Sequence, residues 1–322
     1  MDKLSPYYAN YIKGVIASQS NSLTQIRIAA ENLEEALQFK LTPEAYNALL
    51  VCYMRLDDEN QYEATLLDAA ENFPYFCSSC GLYYANGKKF DKEKSLSWFN
   101  KGIEKKEPKA FYDLGTMYFK GCKAFSKDVS KAEEVLKQGL ELNNPKWNGS
   151  LNYYLGLIAA ENEDYKSAAE YFKNAQQSGF EKASYNLALL YRDGLGVKKD
   201  YEAYIMNLLR NLDIDTSLEI GHLFLNGKYV AVDKGISLTY FDFAAKNGNA
   251  QGALMSAALL IDKGNANSAL LTQYLNLALS NKAVQIDINK YYEEIEKSLG
   301  QKVREELQTK ISNNSDITKN AA

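Results

Sequence analysis

A repeating pattern with a period of about 34 residues restricts the possible folds of this chain more than any other feature. Small residues form a first column, at Gly81, Gly115, Gly156, Ala188, Gly221 and Ala258, with successive gaps of 34, 41, 32, 33 and 37 residues. A second column contains Ala36, Ala70, Gly102, Gly139, Ala175, Arg210, Ala244 and Ala278, with gaps of 34, 32, 37, 36, 35, 34 and 34 residues. Two columns that share one period indicate an array of repeats.

Each repeat has the pattern of a helix pair. Strand signals are nearly absent, and apolar residues recur three and four positions apart, which is typical of amphipathic helices. Small residues allow two helices to approach closely, and a single pair cannot bury its apolar side alone, so neighbouring pairs must stack. The sequence therefore predicts an all-α fold, namely a right-handed α-solenoid (superhelix) of about eight stacked helix-turn-helix repeats with a C-terminal capping helix.

The stretch "GLGVKKD" (194–200) has the glycines and lysines of a phosphate-binding loop. Three other stretches, 87–91, 121–128 and 227–233, also begin with Gly and end with Asp. We expect each Gly to end a helix in the left-handed conformation and each Asp to cap the next helix; the Asp residues are Asp91, Asp128, Asp200 and Asp233. A phosphate loop requires a preceding strand and a Gly-Lys-Ser/Thr ending, which "GVKKD" lacks. We therefore predict no nucleotide and no other cofactor.

Composition narrows the choice of partner. The chain has 37 basic and 41 acidic side chains and a net charge of −4, so it does not indicate a nucleic-acid partner. Its longest apolar stretch, "GALMSAALLI", is shorter than the ~20 residues that span a bilayer. The first residues lack the apolar core of an export signal. We expect a cytoplasmic monomer without membrane insertion; a periplasmic or secreted location stays open if a leader has been removed.

Residues suited to catalysis or metal binding are few. The cysteines are Cys52, Cys77, Cys80 and Cys122, and His222 is the only histidine. The stretch "CSSC" (77–80) could be a redox motif, but such motifs follow a strand, and a zinc site needs more ligands. We predict structural thiols, no metal ion and no catalytic residue. His222 as a general base is the alternative, but nothing in the sequence supplies a nucleophile.

Two stretches resemble Sel1-like repeats, a branch of the tetratricopeptide superfamily. They are "AFYDLGTMYFKG", followed by "SKDVSKAEEVLKQGLE", and "ASYNLALLYRDGLGVKKDYEA". The resemblance extends over residues 75–283, whereas residues 1–74 fit only a general tetratricopeptide-like outline of helix pairs. Residues 207–215 lack the Ala-Ala ending, which predicts irregular packing between residues 181–215 and 216–249. Residues 284–312 are expected to form the capping helix, and residues 313–322 a flexible tail.

The resemblance implies a function in binding. The family is linked to bacterial signalling, host interaction and the assembly of protein complexes, and it has no catalytic residues of its own. It implies a bacterial scaffold or adaptor that binds another protein or an extended peptide and is not an enzyme. Two alternatives are an immunity protein that neutralises a cognate toxin or effector and a secreted host-interaction factor. An all-helical enzyme is the alternative with the least support.

The partner-binding groove is predicted on the concave side, which the first helices of the repeats should line. Counted from the first column, the positions three before, one after and four after should face this groove. The predicted site contains Tyr112, Thr116, Phe119, Tyr153, Leu157, Tyr185, Leu189, Arg192, Leu218, His222 and Leu225. Tyr112, Tyr153 and Tyr185 would form a ladder of contact residues. The alternative is that these tyrosines pack between helices, as we expect for Tyr118 and Tyr191.

Overall fold

The computed structural model describes residues 5–265 and 268–320, with side chains described up to residue 313. Within these residues the chain forms 19 α-helices and no β-strand. The chain divides into two compact units, one ending at Phe180 and one beginning at Glu181. This division differs from the predicted segments 1–74, 75–283 and 284–312, which follow sequence similarity rather than compactness.

The first unit contains five helix pairs. Their helices are α1 (Pro6–Ser18), α2 (Leu23–Phe39), α3 (Pro43–Arg55), α4 (Glu59–Asn72), α5 (Tyr75–Asn86), α6 (Lys92–Glu104), α7 (Pro108–Lys120), α8 (Val129–Glu141), α9 (Pro145–Glu161) and α10 (Tyr165–Gln177). The second unit contains three pairs, formed by α11 (Ala183–Asp193), α12 (Tyr201–Arg210), α13 (Ile214–Asn226), α14 (Lys234–Lys246), α15 (Ala250–Asp262) and α16 (Ala269–Ser280). The eight pairs confirm the predicted number.

The two columns of small residues mark the places where helices approach most closely. A Cβ atom on Gly156 of α9 would lie 2.6 Å from Cε1 of Phe172, a buried residue of α10. Gly139 in the second column lies between its own pair and the next, since its added Cβ would lie 2.6 Å from Cβ of Phe111 in α7 and 3.4 Å from Cδ2 of Leu151 in α9. The space beside a first-column glycine is filled from the partner helix, not by the large residue one turn further along the same helix. The repeat period of the sequence thus corresponds to the spacing between successive helix crossings.

The four Gly-to-Asp loops share one set of hydrogen bonds. The carboxylates of Asp91, Asp128, Asp200 and Asp233 each accept a backbone N–H from the first turn of the following helix, at 2.9–3.0 Å. The backbone N–H of each Asp donates to the carbonyl of an aromatic residue in the preceding helix, at 2.8–3.0 Å. The loops are therefore structural connections between the helices of a pair.

Gly87 does not adopt the predicted left-handed conformation. Gly121, Gly194 and Gly227 have φ angles of +73°, +73° and +66°, whereas Gly87 has φ −72°. Gly87 is needed for space instead, because an added Cβ would lie 2.3 Å from the carbonyl oxygen of Tyr83.

Tyrosine side chains tie neighbouring helices together through carboxylates, which accounts for part of the 24 tyrosines in the chain. Tyr83 and Tyr84 of α5 donate to Glu59 and Glu63 of α4, both at 2.6 Å. The same pairing joins Tyr46 to Asp68, Tyr53 to Glu34, Tyr204 to Glu219 and Tyr274 to Asp242. Each hydroxyl brings a charge-assisted hydrogen bond to the edge of the apolar core.

Packing is irregular where the Ala-Ala ending is missing. Helix α12 ends at Arg210, which occupies the second-column position that holds Ala or Gly in every other repeat. A cavity of about 250 Å³ opens in the second unit, lined by Ile205, Leu209, Ile220, Phe224, Ile236, Thr239 and Tyr240. These side chains come from α12, α13 and α14, so the cavity lies between residues 181–215 and 216–249, for which irregular packing was predicted.

The C-terminal segment forms three helices instead of the single predicted capping helix. They are α17 (Lys282–Ile286), α18 (Ile288–Leu299) and α19 (Gln301–Asn320), and α18 and α19 are separated by Gly300, whose φ of +97° reverses the chain. Ile295 and Leu307 are fully buried against the core of the second unit, as a cap requires. The backbone of α19 continues to Asn320, so residues 313–320 of the predicted tail are helical; residues 321–322 lie outside the described part.

Candidate partner-binding surface

Tyr112 of α7 lies in a cluster of aromatic side chains. Its ring centroid is 5.1 Å from that of Trp147 and 5.7 Å from that of Tyr154, both in α9. All three rings belong to neighbouring first helices, and Tyr112 and Trp147 remain half-buried. Burial, with Tyr154 as the main neighbour, raises the pKa of Tyr112 to about 12. The hydroxyl therefore stays neutral at physiological pH and can both donate and accept a hydrogen bond.

Phe119 and Thr116 continue this surface along α7. The ring of Phe119 meets Tyr154 edge to face at 5.8 Å. Thr116 is half-buried, and its hydroxyl donates to the carbonyl oxygen of Asp113 at 2.9 Å. The ammonium group of Lys120 lies 5.3 Å from the ring of Tyr154. Sequence reasoning predicted Thr116 and Phe119 but missed Tyr154, which connects Phe119 to Tyr112.

Tyr153 and Leu157 extend the surface on α9. Tyr153 is half-buried, and its ring lies 5.0 Å from Phe180 and 6.1 Å from Phe172. Leu157 is half-buried and, like Tyr153, packs against the core cluster that contains Leu151, Tyr154 and Leu155. Tyr112 contacts Tyr154 rather than Tyr153, so the two tyrosines are not consecutive members of a ladder, and both pack partly between helices. The seven-residue spacing of Trp147 and Tyr154, two helical turns, could have revealed the missed pair.

Three predicted site residues lie on α11 in the second unit. Tyr185 is the most accessible, at 38% exposure. Leu189 is half-buried. Arg192 is engaged by its neighbour Asp193, since Nε and Nη2 donate to the two carboxylate oxygens at 2.9 and 2.8 Å. Of the three, Tyr185 is best placed to touch another molecule.

The predicted site residues of α13 contact other parts of the same chain. Leu225 is 2% exposed and belongs to the core of the second unit, so it cannot line a groove in this structure; Leu218 packs against the same core. Nδ1 of His222 lies 2.9 Å from a carboxylate oxygen of Glu294 in α18. Glu294 of α18 thus contacts the side of α13 for which a groove was predicted, and the prediction is wrong for Leu225; for Leu218 and His222 it stays a prediction.

Three of the four cysteines are shielded from solvent. Cys52, Cys77 and Cys80 are buried, and burial raises the pKa of each thiol. The sulfur of Cys80 lies 3.6 Å from the carbonyl oxygen of Leu66 in the core. Among the described residues, no group of three or more His, Cys, Asp and Glu side chains is placed to hold a metal ion. Over the same residues, no helix combines the length and apolarity needed to cross a bilayer.

No protein-family model matches the chain. An uncharacterized Sel1-like repeat-containing protein of Schizosaccharomyces pombe is 24% identical over 219 residues, which cover 66% of this chain and 32% of that protein. The Arabidopsis thaliana protein HRD3B, an ERAD-associated E3 ubiquitin-protein ligase component, is 30% identical over 97 residues, or 30% of this chain and 15% of that protein. The chain therefore spans less than a third of the length of these two relatives.

Solved structures show the same fold. A Sel1 repeat protein from Oxalobacter formigenes matches with a TM-score of 0.65 and 20% identity, covering 89% of this chain and 88% of that one. The protein c5321, a protective antigen present in uropathogenic Escherichia coli strains and displaying a Sel1-like repeat fold, matches with a TM-score of 0.58 and 22% identity, covering 97% and 69%.

The stacked helix pairs and these structural matches define an α-solenoid of helical-hairpin repeats. The chain has the fold of these Sel1-like repeat structures and resembles a Sel1-like repeat-containing protein in sequence, as its residues predicted. Its right-handed sense and its bacterial origin stay predictions.

Proposed function

We propose that this protein is a scaffold or adaptor that binds a segment of another protein on the first helices of its first unit. The proposed first-helix surface consists of Tyr112, Thr116, Phe119, Trp147, Tyr153, Tyr154 and Leu157. The observation that carries the proposal is the half-buried Tyr112 ring, held between Trp147 and Tyr154 at centroid distances of 5.1 and 5.7 Å.

An aromatic cluster of this kind is suited to binding. Tyrosine and tryptophan offer a large apolar area and a polar tip, and they are enriched among residues that dominate interface energetics. Neighbouring rings fix Tyr112 before a partner arrives, which lowers the entropy that must be lost on association. Lys120 and Lys146 lie 5.3 and 5.9 Å from the rings of Tyr154 and Trp147. The surface therefore favours an apolar segment flanked by acidic side chains.

The cytoplasm is the proposed compartment. All four cysteines are unpaired thiols. Thiols that stay reduced are typical of the cytosol, where disulfides are rare. The related proteins of the comparisons include a component of a ubiquitin-ligase complex, which supports a role in assembling proteins.

The test is affinity capture followed by a direct binding measurement. Tagged wild type and Tyr112→Ala would be compared by quantitative mass spectrometry, with Tyr8→Ala as the control, because Tyr8 is in the same unit and half-exposed on α1. We expect at least one protein to be captured by wild type and Tyr8→Ala but lost with Tyr112→Ala. A partner captured equally by all three would show that the first-helix surface is not its site.

The fluorescence of Trp147 can be used for the binding measurement. Trp98 and Trp147 are its two tryptophans, so a Trp98→Phe variant leaves Trp147 as the sole indole at the surface. Titration of this variant with the captured partner should change the emission of Trp147, and Tyr112→Ala should weaken binding about thirtyfold if Tyr112 is a hot spot. Binding that leaves the emission unchanged would place the partner elsewhere.

A further inference from the structure

A cavity of about 400 Å³ opens at the edge of the first unit, beside the turn between α3 and α4. Tyr53, Tyr62 and Tyr83 form its aromatic wall, and Met54 stands at its mouth with 62% exposure. The rings of Tyr62 and Tyr83 are 5.7 Å apart and inclined by 37°. Two inclined aromatic rings provide the negative ring faces to which organic cations are attracted.

Three consecutive carboxylates, Asp57, Asp58 and Glu59, line the same cavity, together with one lysine, Lys88. Three negative charges and one positive charge leave the lining at −2. Two of the carboxylates are fixed in place: Asp58 caps α4, and Glu59 accepts the hydroxyl of Tyr83 at 2.6 Å. The cavity thus combines aromatic walls with an excess of oriented negative charge.

Lys88 shows that the carboxylates at the rim of the cavity can hold an ammonium group. Its ammonium lies 2.6 Å from a carboxylate oxygen of Asp57 and 3.7 Å from one of Glu59. The ion pair lowers the pKa of Asp57 from its ordinary value. The Lys88 and Asp57 side chains are 66% and 84% exposed, so this pair contributes little to stability and can be exchanged for another ammonium.

We propose that this cavity binds a lysine side chain of another protein, with the aliphatic stem against Tyr62 and Tyr83 and the ammonium at Glu59 and Asp58. Lys88 is then a competitor that an incoming lysine displaces. The site shares no residue with the first-helix surface, so this inference does not rest on the proposed function.

The experiment uses the full chain labelled with ¹³C-methyl methionine. Met54 reports on the cavity, and Met117, which is buried in α7, is the internal reference. The probe is N-acetyl-lysine-N-methylamide, and the matched neutral probe is N-acetyl-norleucine-N-methylamide, which has a stem but no charge. Variants are Lys88→Ala, which removes the competitor, and Glu59→Gln, which removes a charge. Lys89→Ala is the control, because Lys89 pairs with Glu63 outside the cavity.

We expect the lysine probe to shift the Met54 methyl signal in a saturable way while Met117 stays unchanged. Lys88→Ala should lower the dissociation constant about threefold and Glu59→Gln should raise it about threefold, as expected for exposed charge pairs. Lys89→Ala should leave the dissociation constant at the wild-type value. The inference is overturned if the norleucine probe acts equally, if Lys88→Ala weakens binding, or if neither wild type nor Lys88→Ala responds. A lost protein partner with an intact Met54 response would count against the proposed function alone.

Discussion

His222 of α13 and Glu294 of α18 lie 72 residues apart in sequence, yet Nδ1 of the imidazole is 2.9 Å from a carboxylate oxygen of the glutamate. A second contact lies one turn further along both helices, where Ser298 donates to Asn226 at 2.7 Å. Helix α18 therefore contacts α13 at two points on the side for which a groove was predicted. The C-terminal segment thus contributes contacts to the array outside its repeat pattern.

Glu294→Gln should loosen this contact in a pH-dependent way. The close contact with His222 lowers the pKa of Glu294. Because the pKa of Glu294 is lowered in the folded state, the ionised carboxylate stabilises the fold at pH values above its unfolded-state pKa, near 4.3. This contribution is lost as the pH falls through the lower, folded-state pKa. At neutral pH we expect a loss of about 0.5–1 kcal/mol in the free energy of unfolding, with no difference at strongly acidic pH.

The measurement is urea unfolding followed by circular dichroism at several pH values. Glu293→Gln is the control, since that neighbouring side chain is exposed. A difference between Glu294→Gln and wild type that is as large at strongly acidic pH as at neutral pH would contradict the assigned direction of the pKa shift.

Gly194→Val should destabilise the fold without affecting any activity. Gly194 has φ +73°, a conformation that β-branched residues adopt only with strain, so the substitution should cost about 1–2 kcal/mol. Lys198→Ala and Lys199→Ala, in the same loop, should leave the melting temperature unchanged. A rise in the melting temperature of wild type on addition of ATP, abolished by the lysine variants, would restore the phosphate-loop hypothesis.

Gly156→Ala sets two effects against each other. Alanine favours a helix interior by up to about 1 kcal/mol over glycine, but its Cβ would lie 2.6 Å from Phe172, and overpacking costs about 1–3 kcal/mol. We expect a net loss of stability in wild type. In a Phe172→Leu background the clash is relieved, so the same substitution should become neutral or stabilising. A double-mutant cycle by urea unfolding that gives no coupling would show that the two residues do not limit the approach of α9 and α10.

Thiol accessibility should follow burial. Cys122 is the only half-buried cysteine, whereas Cys52, Cys77 and Cys80 are buried and have raised thiol pKa values. Titration of the native protein with an aromatic disulfide reagent at mildly alkaline pH should therefore modify Cys122 first and the other three only after denaturation. Rapid modification of Cys77 or Cys80 would indicate a redox role for the "CSSC" stretch.

The sequence predicted the parts of this molecule that depend on local chemistry. The columns of small residues and the capping Asp200 and its equivalents fixed the number of helix pairs and the loops between them, because crossings and caps need particular residue types at particular spacings. The contact of α18 with α13 could not be predicted, because Glu294 lies outside the repeats and no periodic spacing relates it to His222. The partners of Tyr112 were missed because the column positions assume the same rotation for every first helix, whereas Trp147 and Tyr154 belong to no column.

Tyrosine truncations distinguish residues packed between helices from residues open to a partner. The sequence predicts Tyr153 and Tyr185 as contact residues of a groove, where truncation costs little stability, and Tyr118 as a residue packed between helices. In the structure, Tyr153 and Tyr118 are both half-buried beside aromatic rings, at 5.0 Å from Phe180 and 5.2 Å from Phe125, whereas Tyr185 is 38% exposed. Tyr153→Ala and Tyr118→Ala should therefore each cost about 2–3 kcal/mol, below the range for a fully buried aromatic residue.

Tyr185→Ala should cost less than about 1 kcal/mol, because little packing is lost at an exposed position. Urea unfolding of the three variants, with Tyr→Phe at each position to separate the hydroxyl from the ring, gives the comparison. If Tyr185→Ala destabilises as much as Tyr153→Ala, then Tyr185 is packed and cannot serve as a contact residue. If instead it leaves stability intact and weakens the binding of a captured partner, Tyr185 is itself a contact residue.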